Sequence, residues 1–123
     1  MLKPGLTHTS IMTVTSEMTA RTMGSGDLEV LATPAMTALM ENAAMLAVAD
    51  KVPECCTTVG GQIESSHLRP TKLGSTVKAK ATLQKIDGKK LFFNLEAYDG
   101  KHLIGQGSHL RFIVDRQKFL EKL

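Results

Sequence analysis

Aromatic side chains are scarce in this sequence of 123 residues, which has no Trp, one Tyr and four Phe. Proteins that bind single-stranded nucleic acids stack bases on aromatic side chains, so nucleic acid is not an expected partner. The formal net charge is nevertheless +3, with an isoelectric point near 9.0. We therefore expect an anionic partner, and a phosphate-bearing small molecule fits this charge.

Cysteine is equally sparse, and the two residues present, Cys55 and Cys56, are adjacent. A disulfide between neighbours would close a strained ring, so we expect two reduced thiols. The sequence has no Cys/His set with zinc spacing, no Walker sequence and no dinucleotide fingerprint. These absences predict a protein without a metal site and without a cofactor.

No apolar run approaches the roughly 20 residues of a membrane span, and the longest, at 43–49, follows Glu41 and Asn42. The first five residues lack the apolar core of a signal peptide. We expect a cytoplasmic protein that does not enter a membrane. Its length and its 42% of hydrophobic residues predict a single domain over residues 1–123.

The first half of the chain predicts a strand, a loop and one long helix. Residues 6–15 are rich in Thr, Ile and Val, which favour strands, and residues 23–27 contain two glycines and read as a flexible loop. Helix formers then run from 34 to 50, with Thr33 able to cap the helix and Pro34 suited to its first position. This helix is apolar nearly all round, which predicts that it lies inside the protein.

The second half predicts four strands, at 57–68, 75–86, 89–98 and 101–114, and a short terminal helix at 115–123. Asp87-Gly88 and Asp99-Gly100 are typical of hairpin turns. Alternation in the first of these strands places on one face Val59, Gly61, Ile63, Ser65 and His67. Gly60-Gly61 indicates a bulge or a close backbone approach. Because one curved sheet cannot cover a helix on all sides, we expect a partner subunit to shield the rest.

Glu41 is the first candidate for chemistry, because it is a carboxylate in the middle of the most apolar helix. Burying an ionised carboxylate costs free energy unless the group is paired or hydrogen bonded. The structural alternative is that Glu41 reaches the rim of the protein or pairs with a lysine. Titratable groups in such surroundings cluster at functional sites.

His67 and Thr33 are the other two candidates. His67 lies at the end of a strand whose inner face packs on the helix. The structural alternative is that His67 is a hydrogen-bonded core residue without a catalytic role. Thr33 either caps the helix or places a hydroxyl beside the free amides of the first turn, which can hold an oxyanion. Thr33 and Glu41 are about 12 Å apart along the helix, and an imidazole bridges roughly 7–8 Å. A chain of Thr33, His67 and Glu41 is therefore feasible.

Three segments resemble one family. They are residues 32–41 (ATPAMTALME), 62–77 (QIESSHLRPTKLGSTV) and 105–112 (GQGSHLRF). Together they resemble the hot dog thioesterases, and within these the fluoroacetyl-CoA thioesterase-like branch. The resemblance extends over residues 6–119.

The resemblance implies an α+β hot dog fold, with a five-stranded antiparallel sheet wrapped around one long central helix. It also implies dimers joined edge to edge, with active sites near the interface, and hydrolysis of acyl-CoA thioesters by Thr33, Glu41 and His67. Gly60 corresponds to a glycine that lines the same pocket. In this reading a homodimer is expected, and pairing of dimers into tetramers is left open.

On this basis we expect a thioesterase that hydrolyses a small acyl-CoA thioester, with coenzyme A as part of the substrate. Ala35 and Met36 would donate their amides to the thioester carbonyl, and Arg69 and Lys72 would meet the phosphates of CoA. The loop at 23–27 lacks the bulky aromatic residues that the fluoroacetyl-CoA enzyme carries there, so fluoroacetyl selectivity is not expected. Two alternatives share the fold: a binding module for acyl-CoA or another small ligand, and an acyl-thioester dehydratase.

Overall fold

A computed structural model describes all 123 residues, and its core is one sheet of five antiparallel strands. The strands are β1 (Thr7–Thr13), β2 (Cys56–His67), β3 (Thr76–Asp87), β4 (Lys90–Asp99) and β5 (His102–Asp115). Their order across the sheet is β1-β3-β4-β5-β2, so β1 and β2 form its edges. The predicted α+β class and the five antiparallel strands are confirmed.

The helices are α1 (Ala20–Met23), α2 (Thr33–Val48) and α3 (Arg116–Glu121), and a 3-10 turn covers Ser16–Met18. The long predicted helix and the terminal helix are both present, and each begins and ends within two residues of the predicted bounds. The 3-10 turn and α1 were not predicted, because their few residues carry no periodic pattern. Gly24, with a φ of 81°, ends α1 and begins the expected loop.

Helix α2 lies on the inner face of the sheet and forms the centre of a core of 20 buried hydrophobic residues. Small side chains allow this close packing: Ala79 and Ala81 of β3 are fully buried, as are Ala43 and Ala44 of the helix. The face of α2 that includes Ala38, Asn42 and Leu46 remains exposed.

The prediction that Val59 and Gly61 share a face with His67 is wrong. The register pairs Gly60 with Arg111 but Gln62 with Leu110, so Gly61 is an extra residue in β2. Gly60-Gly61 had indicated this bulge. Because it adds one residue, the residues of β2 before Gly61 face the side opposite to the one predicted. Thr58 and Gly60 therefore face the helix together with the inward residues of the second half of the strand.

The hairpins join β3 to β4 and β4 to β5, and their turns contain Gly88 and Gly100, both at a φ of 60°. That conformation favours glycine, which confirms the predicted turns. Cys55 and Cys56 are free thiols, as expected. None of the helices has the length and apolar character needed to span a bilayer.

Candidate active site

Thr33 and His67 meet where helix α2 begins and strand β2 ends. The Oγ1 atom of Thr33 lies 2.8 Å from Nδ1 of His67. His67 is placed by its pairing with Gly105 in β5, and Thr33 is the first residue of α2. The structure thus brings together two of the three predicted catalytic residues.

Thr33 does not cap the helix, so that expectation was wrong. Ala32 occupies the N-cap position, makes no side-chain capping bond, and is followed by Pro34 within the first two helical positions. The hydroxyl of Thr33 points instead to the imidazole of His67. A threonine hydroxyl bonded to a histidine at a helix N-terminus is an arrangement suited to nucleophilic or general-base chemistry.

A cleft of about 350 Å³ opens beside this pair. Its lining includes Ser25 from the loop that follows α1 and the segment that leaves β2 through Leu68, Arg69 and Pro70. Arg69 is exposed at this cleft, whereas Lys72 lies further along the same segment, bridged to Val30. A substrate entering the cleft would therefore pass a cation on its way to His67.

His67 is partly buried, and burial is the main influence on its pKa, which it lowers from the ordinary value of 6.5. The nearby backbone of Arg69 has a smaller effect in the opposite direction. Its Nε2 atom is buried and has no hydrogen-bond partner within the chain. His67 is therefore a neutral imidazole near pH 7, with one nitrogen on Thr33 and the other without a partner.

Glu41 does not contact His67 within the chain. Its Oε2 atom lies 3.9 Å from Nε2 of His109 and 4.0 Å from Nη1 of Arg111. It faces the part of β2 that contains Gly60. Gly60 lies seven positions before His67, and because Gly61 is a bulge residue the strand advances by roughly 20 Å between them. The predicted chain of three side chains is consequently not assembled by a single copy of the protein.

Gly60 makes room for Glu41. A Cβ atom at this position would lie 2.8 Å from Oε2 of Glu41 and 3.2 Å from Cε1 of His109. Both distances are shorter than ordinary van der Waals contact. Gly60 therefore lines the chamber that holds the Glu41 carboxylate, on the inner face of the sheet.

The amides of Ala35 and Met36 are both engaged, which argues against the oxyanion role expected for them. Each donates to the carbonyl oxygen of Ala32, at 3.0 and 3.1 Å. Pro34 has no amide hydrogen, and Thr33 donates none of the turn, loop or cap hydrogen bonds of the backbone. The first turn of α2 thus retains a single available amide, that of Thr33.

His109, Arg111 and Thr58 were not among the site residues predicted from the sequence. His109 and Arg111 are buried polar residues at alternate positions of β5, facing the helix. The sequence did contain a signal for this pair, because His and Arg occupy two successive positions on the inward face of one strand. Thr58 could not be found in this way, because the bulge at Gly61 reverses the face on which it lies.

Comparison with known proteins agrees with this geometry. The sequence model described as fluoroacetyl-CoA-specific thioesterase matches residues 14–117, which is most of the chain. The chain belongs to the fluoroacetyl-CoA-specific thioesterase family.

Among curated members of this family, the fluoroacetyl-CoA thioesterase of Streptantibioticus cattleyicolor is 35% identical over 95 residues, covering 77% of this chain and 68% of that protein. A solved mutant of the fluoroacetyl-CoA enzyme in complex with acetyl-CoA superposes with a TM-score of 0.92 at 29% identity, over 98% of this chain and 96% of that one. A thioesterase superfamily member from Thermus thermophilus gives a TM-score of 0.89 at 28% identity, over 97% and 88%. The hot dog architecture expected from the sequence is thereby confirmed.

Proposed function

We propose that this protein is a thioesterase that hydrolyses a small acyl-CoA thioester to the free acid and CoA. The single observation that carries the proposal is the 2.8 Å contact between Thr33 Oγ1 and His67 Nδ1 at the mouth of a cleft. Membership of a thioesterase family supports the same reaction. No cofactor or metal enters this mechanism.

In the first version of the mechanism, Thr33 Oγ1 attacks the thioester carbonyl carbon while His67 Nδ1 takes the hydroxyl proton. The resulting oxyanion is held by the amide of Thr33 at the positive end of the helix dipole. The carbon–sulfur bond then breaks, and CoA leaves as the thiol with the proton from His67. Water, activated by the same imidazole, hydrolyses the threonine ester.

In the second version, Thr33 only positions a water molecule, and His67 removes the proton from that water. The two versions differ in one observable, since only the first forms an acyl-threonine. Rapid acid quench of a single turnover, followed by mass spectrometry of the peptide that contains Thr33, separates them. An added acyl mass indicates the nucleophile, and its absence throughout the turnover indicates the water-positioning role.

We further propose that the protein is a homodimer in which Glu41 serves the His67 of the partner. β2 is an edge strand, so two copies can pair antiparallel along it. Antiparallel pairing centred between Ile63 and Glu64 would place Gly60 of one strand opposite His67 of the other, which would bring the Glu41 chamber of one subunit toward His67 of its partner. The Nε2 atom of His67 has no hydrogen-bond partner within the chain, and because it is buried there, a small movement of its surroundings would have to open it to this carboxylate.

A mixing experiment tests this arrangement. His67→Ala and Glu41→Gln are each expected to abolish thiol release from acyl-CoA. In a heterodimer of the two, one composite site carries both changes and the other carries neither, so random mixing restores about a quarter of wild-type activity. If both residues of a site came from one subunit, every site would carry one change and mixing would restore nothing.

The proposal also covers the substrate and the cellular location of the enzyme. Arg69 and Lys72 would meet the phosphates of CoA. The segment at 23–27 carries no bulky aromatic residue, so we do not expect selectivity for fluoroacetyl. We place the enzyme in the cytoplasm. Free thiol release from a panel of short, branched and aromatic acyl-CoAs tests the proposal, and binding without thiol release from any of them contradicts it.

A further inference from the structure

His109 and Arg111 form a buried pair on the inner face of β5, with exposed fractions of 3% and 6%. The guanidinium of Arg111 is held at three points. Its Nε donates to Thr58 Oγ1 at 2.8 Å, its Nη2 donates to the carbonyl of Thr58 at 2.9 Å, and its Nη1 lies 3.1 Å from Nε2 of His109. Thr58 is available for this role because the bulge at Gly61 turns it inward.

The partners of His109 fix its tautomer from both sides. Its Nδ1 atom lies 2.7 Å from the carbonyl oxygen of Gln62, which can only accept a hydrogen bond, so Nδ1 carries the proton. Nη1 of Arg111 can only donate, so Nε2 of His109 presents its lone pair. The two contacts independently require the same neutral imidazole.

Charge and burial agree with this assignment. Burial is the largest influence on the pKa of His109 and lowers it; Arg111 also lowers the pKa, while the bond to Gln62 and the charge of Glu41 raise it. His109 is therefore uncharged near pH 7, and its 3.9 Å approach to Glu41 is not an ion pair. The charge that faces Glu41 is that of Arg111, at 4.0 Å.

We propose that His109 is a positioning residue for the hydrolysis: its Nε2 lone pair holds the Arg111 guanidinium with the Nη1 edge toward Glu41, and so fixes the carboxylate in the chamber beside Gly60. Without the imidazole acceptor, Nη1 would lose one of the contacts that orient it, and Glu41 would lose its fixed counter-charge. This inference rests on the proposed function, because it assigns His109 a part in the work of Glu41.

Two substitutions at one position test the role. His109→Phe keeps a ring but has no acceptor, whereas His109→Gln places an amide oxygen near the position of Nε2. We expect kcat to fall about tenfold in the Phe variant, equivalent to about 1.4 kcal/mol, with KM changed less than about twofold. The Gln variant should recover most of this loss, with both variants assayed at a temperature where thermal melts show them folded.

A second measurement is independent of activity. Long-range proton–nitrogen NMR of the wild-type protein should show Nδ1 of His109 protonated and Nε2 unprotonated at pH 7. The opposite tautomer, an imidazolium, or equal kcat in the Phe variant and wild type overturns the proposal. If wild-type protein hydrolyses no acyl-CoA, the proposed function fails and takes the positioning role with it, while the NMR result still decides the His109–Arg111 contact.

Discussion

The carboxylate of Glu41 occupies the space into which any side chain on Gly60 would project. Its Oε2 atom is 2.8 Å from the position that a Cβ on Gly60 would take. The backbone of Gly60 is held in the ladder opposite Arg111, so the strand is not free to retreat. The position of the carboxylate therefore depends on the absence of one methyl group on the neighbouring strand.

Gly60→Ala should consequently impair the reaction more than the fold. The side chain of Glu41 is 42% exposed and can swing toward solvent, whereas the buried ring of His109 must shift slightly, so the cost in unfolding free energy should be about 1–2 kcal/mol. Displacing the carboxylate should lower kcat by about tenfold to a hundredfold. Thiol release and urea denaturation measured on the same preparation separate the two effects.

Gly61→Ala is the matched control, because its methyl group would meet the ring of Phe112 rather than the candidate site. We expect it to destabilise the protein by about 1–3 kcal/mol, as overpacking does, while activity per folded molecule stays near that of the wild type. Equal loss of activity in both alanine variants would contradict the specific role of Gly60.

Thr33 provides a second test, because its hydroxyl bonds to His67 and not to the helix. Thr33→Ala should change the unfolding free energy by no more than about 1 kcal/mol, since no cap is lost. Activity should fall about a hundredfold or more, and Thr33→Ser should retain most of it. A stability loss in Thr33→Ala large enough to explain the lost activity would show that the hydroxyl is structural.

The pH dependence of activity should reflect His67. A general base must be unprotonated, and burial lowers the pKa of His67 below 6.5. The profile of kcat/KM against pH should therefore be flat in alkaline solution and fall along an acid limb centred below pH 6.5. An acid limb centred above pH 6.5 would show either that another group controls the reaction or that the partner's carboxylate raises the pKa of His67.

Stability should fall in acid for the same physical reason, with two residues contributing. The pKa values of His67 and His109 are both lower in the folded chain than the ordinary value of 6.5. Between that value and the lowered ones the unfolded chain binds protons that the folded chain does not, so stability decreases as the pH falls below 6.5. Urea midpoints measured across this range should show the decrease, and a shallower one in His109→Gln.

Much of the fold followed from local patterns. The clean alternation of Val77, Ala79, Ala81 and Leu83, and the two Asp-Gly turns, fixed three strands to within about two residues. The bounds of helix α2 were similarly close, because Pro34 marks its start and the run of helix formers ends near its last residue. By contrast, the phase of β2 could not be read correctly, since a single inserted residue at Gly61 changes which side chains face inward.

The site followed from the sequence only in part. The helix start at Thr33 and the strand end at His67 were each located correctly from local signals. Their contact joins residues 34 positions apart, and the sequence showed only that it was feasible. The distance from Glu41 to His67 depends on where the helix crosses the sheet and on which strand pairs with the β2 edge. Neither can be derived from the spacing of residues along the chain. The oxyanion donors were wrong at Ala35 and Met36, because a tight first turn uses both amides for one carbonyl.

Arg69 gives the last prediction, which concerns the nucleotide end of the substrate. It is exposed and lines the cleft of Thr33 and His67, whereas Lys78 is exposed on β3 and is not part of that lining. If Arg69 meets a CoA phosphate, Arg69→Ala should raise KM for an acyl-CoA by about threefold to tenfold, with kcat unchanged. The same variant should not alter KM for the matching acyl-pantetheine, which has no phosphates. Lys78→Ala, which removes the same charge, should leave both substrates unaffected, and the Arg69 effect should shrink as salt is added. An equal rise in KM for both substrates would place Arg69 at the acyl or pantetheine part of the cleft instead.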